Sequence, residues 1–249
     1  MPDTSRSIPW LDPSPAMDDA VNQVRAPATQ RATRPRLNLP AIESSLRTVQ
    51  RAFPAINAHL QTAREPLSDE VITNLMAGYA WIDAAIVAGL NLFALGNLKY
   101  LLDLNRRVLC GTDPGKLKDY ADHLAATEAH FYSHTGGGIG HLVEWLAGHR
   151  HRSPWRQAAG VYIRILSEPQ LYLEGNHRCG ALLMSYLLAR EGKPPFVLTV
   201  DNAKAYFDPS TVIKATRKTS SFAQLFTLPH LGRELAQFLK AQADEQYLR

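Results

Sequence analysis

The chain has 249 residues, 45% of them apolar and 20% charged, which are the proportions of an ordinary globular protein with one compact domain or two small ones. The net charge of +4 is modest, and without a basic helix interleaved with aromatics it gives no reason to expect nucleic acid as a partner. Cys110 and Cys179 are the only cysteines and stand in no CxxC or Cys/His cluster, which argues against structural zinc and a disulfide scaffold and fits a reducing cytoplasm.

Residues 1–38 are rich in Pro, Ser, Thr, Asp and Arg and lack apolar periodicity. They bury too little apolar surface to offset ordering entropy, so a disordered arm is expected there, with a helical domain over 39–249. No basic stretch followed by an apolar run marks a secretory signal. From 40 to 63, Ile42, Leu46, Val49, Phe53, Ile56 and Leu60 recur at three- and four-residue steps on one helical face. Pro54 should kink or divide that helix. Ser68 suits an N-cap for the next one, which Gly89 should end. The most apolar segment, 84–98, carries Asn91 and Asn97 and is too short to span a bilayer, so no membrane is expected.

A further helix is predicted over about 97–109, before the turn at 111–115. Residues 116–135 are ambiguous, with His123, His130 and His134 among small and aromatic residues. Beyond the glycines at 136–138 a helix follows over 139–148. Ser153 and Pro154 then open another, with Trp155, Ala159, Tyr162 and Leu166 on its buried face. A loop at 168–174 leads into a strongly apolar helix over 176–190, stopped by Gly192 and Pro194-Pro195. Residues 196–200 suit a short extended piece. Two or three helices close the chain, the last over 231–247.

The chemistry concentrates in Glu174-Gly175-Asn176-His177-Arg178, at the start of that apolar helix. A helix N-terminus presents unpaired N–H groups and partial positive charge, so it suits an anion. Gly175 lets backbone approach a phosphate, Arg178 can donate to phosphate oxygens, and Glu174 is the kind of oxygen ligand that holds Mg²⁺ beside phosphates. A plainer reading stands beside this one. Gly-Asn is a common turn, Asn176 caps the helix, and Arg178 pairs with a nearby carboxylate.

The run Gln170-Leu171-Tyr172-Leu173-Glu174-Gly175-Asn176-His177-Arg178 resembles the signature HPFx(D/E)GN(G/K)R of the Fic/Doc (Fido) family. The likeness extends to 101–115, similar to the family's ELHRxLLxGT…PG, and to 181–195, similar to LLMNLLLxxxGxPP. Tyr206 falls where the family often has a tyrosine. The resemblance implies a mainly helical bundle with a short β-hairpin flap, for which 119–135 is the natural place. It also implies transfer of AMP or another phosphate-containing group from ATP or another nucleotide, with Mg²⁺, to a hydroxyl of a protein target. In such proteins the first histidine takes the hydroxyl proton, the acidic residue holds Mg²⁺, and the Gly-Asn turn with its arginines holds phosphates.

This sequence departs from the pattern where the chemistry is done. Gln170 stands at the histidine, and an amide is no general base; Leu171 replaces the proline, His177 a small or basic residue, and Ala181 the second arginine. Two readings follow. One is a divergent transferase, with Glu174 on the metal, Gly175, Asn176, His177 and Arg178 on phosphate, and Gln170 or His177 orienting the acceptor. The other is a catalytically inactive module that binds a nucleotide or a regulatory protein partner. The expected setting is the cytoplasm of a bacterium, with secretion as an effector compatible. His134 and His141 could reach the site from the flap, whereas His149 and His151 read as solvated and Cys179 as a buried core thiol.

Overall fold

The computed structural model describes residues 34–133 and 138–249; His134 and residues 1–33 of the expected arm lie outside them. Ten α-helices form among the described residues: α1 (Leu39–Ala58), α2 (Asp69–Ala88), α3 (Lys99–Cys110), α4 (Pro114–Asp119), α5 (Ala121–Phe131), α6 (Ile139–Gly148), α7 (Pro154–Leu166), α8 (Asn176–Arg190), α9 (Ala203–Ala215) and α10 (Leu228–Ala241). The mainly helical class read from periodicity is the observed one.

At the centre is α8. Cys179, Gly180 and every residue from Leu182 to Ala189 are buried, as expected of a helix apolar on all sides. It packs on α7, α2 and α3, and α7 in turn meets α10, α6 and α9. Close approach depends on small residues: a Cβ on Gly78 of α2 would stand 2.5 Å from a Leu182 methyl. The most apolar helix, α2, is long and apolar enough to cross a membrane, but it is mostly covered by the fold. Ser68 caps it, accepting from Val71 N–H, and Gly89 ends it in the left-handed region at φ 68°.

Three expectations change. Pro54 does not divide α1, which runs through it with Phe53 and Ile56 on the buried side and Pro54 facing solvent. Residues 196–200 form no strand; the described residues show only two isolated bridges, Leu37 with Leu248 and Glu168 with Arg217. In place of the β-hairpin flap expected at 119–135 stands helix α5 over Ala121–Phe131, and the described residues of that segment, up to Ser133, form no strand. Asp113 caps α4 with Pro114 at its first position, and Ala121, Leu124, Ala125, Ala126, Glu128 and Ala129 then supply strong helix formers without strand alternation.

Residues 34–38, placed in the arm by composition, are held on the domain. Arg36 N–H donates to Arg249 O (2.8 Å), and Asn38 N–H to Tyr247 O (2.9 Å). Buried Asp83 of α2 accepts from Leu37 N–H at 2.8 Å and pairs with the Arg36 guanidinium at 2.6 Å.

Candidate functional site

The loop 168–175 leaves the C-terminus of α7 and enters α8 through Gly175, whose φ of 79° favours glycine. A Cβ there would also stand 3.0 Å from Asn105 Nδ2 and 3.3 Å from a Leu109 methyl. The helix therefore begins at Asn176, where the sequence placed it, and its first amide N–H groups lack intrahelical acceptors.

The side chains of the motif turn mostly inward. Asn176 is buried; its Oδ1 accepts from Tyr172 N–H at 2.9 Å, and its Nδ2 donates to Tyr172 O at 2.7 Å and Gln170 Oε1 at 3.4 Å. Its side chain ties the loop to the start of the helix. Gln170 Nε2 donates to Leu166 O at 3.1 Å, so the residue in the histidine position finishes α7. Tyr172 is buried and donates to Leu101 O at 3.2 Å.

Arg178 Nη1 donates to Val108 O at 2.9 Å, and Nη2 lies 3.7 Å from Glu174 Oε1. A guanidinium at the last carbonyls of α3 satisfies orphan acceptors and complements the helix dipole. Asn74 contributes there too, donating to Val108 O and Leu109 O. The nearby carboxylate that the sequence offered Arg178 as a partner has a counterpart in Glu174, and its closer contact is the Val108 carbonyl.

His177 Nδ1 and Tyr162 Oη are 3.2 Å apart, a hydrogen bond whose direction follows the imidazole tautomer. Its Nε2 is buried without a partner. Burial, with Arg64 and Lys214 adding repulsion, lowers its pKa to about 4. The imidazole is neutral near pH 7 and a weak base. Cys179 is buried beside Asn105 Nδ2 (3.4 Å), and burial raises its thiol to about 12, which makes it a core residue as expected.

Glu174, with Leu173 before it, is left in solvent, its side chain 50% exposed. Its backbone carbonyl accepts from Asn105 Nδ2 at 2.9 Å. Among the described residues no three or more His, Cys, Asp or Glu converge, so any metal at Glu174 would have few protein ligands. That suits Mg²⁺ only where phosphates and water complete the shell.

Sequence reasoning missed what covers the loop. Helix α5 lays His123, Thr127, His130 and Phe131 across it, positions at helical spacing on one face. His123 Nε2 stands 3.8 Å from Glu174 Oε2, His130 Nε2–H donates to Gln170 O at 2.8 Å, and the Phe131 ring stacks on Tyr172 with centroids 5.6 Å apart. Thr127 is buried. Those spacings were visible in the sequence once the segment was taken as a helix. His141, beyond the glycines, lines a cavity of about 170 Å³ with Tyr132 and Ile139; a second, of about 220 Å³, lies between Arg34, Leu90 and Arg190. Neither is lined by a residue of 170–178.

Three known proteins are similar to parts of this chain. Over 136 residues the chain is 28% identical to "Protein adenylyltransferase Fic" of Drosophila grimshawi, a match covering 51% of this chain and 26% of that protein. The chain thus spans about a quarter of that relative's length. Fic-1 from C. elegans superposes at a TM-score of 0.45 with 16% identity, covering 91% of this chain and 68% of that one. A Fic domain containing signaling protein from Bacteroides thetaiotaomicron does so at 0.43 with 13% identity, covering 90% and 94%. No protein-family model matches.

Proposed function

We propose that this chain, which carries a Fic-like domain, is a catalytically inactive module of that kind, acting by binding a regulatory protein partner or a nucleotide. One observation carries the reading: the residue in the base position is Gln170, and its amide is engaged by Leu166 O and Asn176. General-base help is worth about 10²–10⁴-fold, and a carboxamide supplies none. His177 is a poor substitute, neutral and bonded to Tyr162 behind the helix start.

The fit to Mg²⁺ and a nucleotide is partial. Glu174 offers a half-exposed carboxylate and α8 offers amide N–H groups, while Asn176 and Arg178 spend their side chains on Tyr172 and Val108. Phosphates would meet backbone dipole and little side-chain charge.

The transferase reading keeps one observation in its favour. His123 Nε2 lies 3.8 Å from the Glu174 carboxylate, so an imidazole from α5 stands close to the motif as a proton acceptor. One experiment separates the two. Labelled ATP with Mg²⁺ and cell lysate should mark no protein band with the natural chain, and none with Gln170→His. A band made by the natural chain and abolished by His123→Gln would overturn the inactive reading. Calorimetry with ATP and Mg²⁺ then sorts the partner: binding weakened by Glu174→Ala supports a retained nucleotide, and silence supports a protein.

A further inference from the structure

The cavity of about 220 Å³ lies where α2 and α8 both end. Pro35, Ile86 and Leu90 give it hydrocarbon walls, and the side chains of Arg34 and Arg190 line it as well. Each guanidinium is held by a named seat. A Cβ on Gly89 would stand 1.8 Å from Arg34 Nη1 and 2.4 Å from its Cζ, so the glycine that ends α2 leaves room for that group. From there Arg34 Nη1 donates to Val87 O at 3.1 Å. Arg190 Nη1 donates to Asn91 Oδ1 at 3.2 Å and Tyr186 Oη at 3.3 Å. Tyr186 Oη donates in turn to Leu90 O, next to Gly89, which joins the two seats.

These contacts leave donors over. Among the described residues Arg34 Nε and Nη2 and Arg190 Nη2 have no acceptor, and the only carboxylate paired with either arginine is Glu191, 3.6 Å from Arg190 Nε. Capping the helix ends does not use up the charge. A helix C-terminus carries about half a negative charge, against the full positive charge of a guanidinium. Glu191 is 55% exposed, so solvent weakens its hold on Arg190, and it leaves Arg34 unanswered. The cavity therefore combines surplus positive charge, free planar donors and an apolar wall.

We propose that it binds a small carboxylate with a short hydrocarbon tail, the carboxylate bridging Arg34 and Arg190 and the tail lying on Pro35, Ile86 and Leu90. Guanidinium groups match the two oxygens of a carboxylate, and the tail gains from leaving water. Inorganic phosphate would meet the same donors and leave the hydrocarbon wall unused. No residue of 170–178 lines this cavity, so the site does not depend on the reading of the loop.

Titration of the full chain with butyrate, followed by the amide NMR signals of Gly89 and Leu90, tests this. Butyrate should shift those signals saturably, 1-butanol should not, and inorganic phosphate should bind about tenfold more weakly. Arg34 and Arg190 are exposed, so Arg34→Gln and Arg190→Gln should fold, as circular dichroism would verify. Each should weaken butyrate about tenfold, the loss of one charge-assisted contact. Glu191→Gln should tighten it by freeing Arg190 Nε. Absence of a saturable shift at Gly89 and Leu90 would overturn the proposal. So would butyrate binding unchanged in both folded arginine variants, or phosphate or 1-butanol binding as tightly as butyrate.

Discussion

At Asn176 one carboxamide serves both backbone groups of Tyr172 and still reaches Gln170. Replacing it by Ala leaves a buried N–H and a buried carbonyl without partners, each worth about 1–3 kcal/mol. Asn176→Ala should therefore unfold at a clearly lower urea midpoint with little change in slope. His177 makes a different kind of contribution. In the unfolded chain it titrates near 6.5 and in the fold near 4, so between those values the unfolded chain binds a proton that the folded one refuses. Stability from this source is complete above about pH 6.5 and declines as pH falls toward 4. Urea melts across that window should show the decline, and His177→Gln should flatten it.

At the scale of single elements, α5 and the loop hold each other. Phe131 is buried against Tyr172, and His130 donates to Gln170 O. Phe131→Ala should cost about 3–5 kcal/mol and raise amide exchange across 170–174, measurable by hydrogen–deuterium exchange. The core helices were legible in the sequence because their signals are local: Ser68 and Gly89 bracket α2, Pro154 opens α7, and the apolar run after Gly175 is α8. The helical cover was not, because 116–133 carries weak periodicity and a resemblance that pointed to a hairpin. The motif could be located from the sequence, but the orientation of its side chains could not. Asn176 and Arg178 find their acceptors on Tyr172 and Val108, and the Val108 contact spans 70 positions along the chain. Asn105 carried a faint signal, a polar residue on the buried side of α3 between Leu101 and Val108.

For the molecule as a whole, Asp83 ties the described N-terminal residues to the core through Leu37 and Arg36. Asp83→Ala leaves Leu37 N–H unpartnered, at about 1–3 kcal/mol, and should open residues 34–38 to limited proteolysis well before the rest of the domain is cut. The buried cluster extends from Leu37 to Tyr247, so loosening one end loosens the other.

The bridge between Leu37 and Leu248 brings the first described residues and the last ones side by side. The two ends of the described chain thus lie together. Such a unit can be spliced into the turn of a host protein without prying the host apart, and its order can be rewired by a short linker joining the two ends. Tension between the flanks would fall first on that pairing, well away from the helix that opens at Asn176.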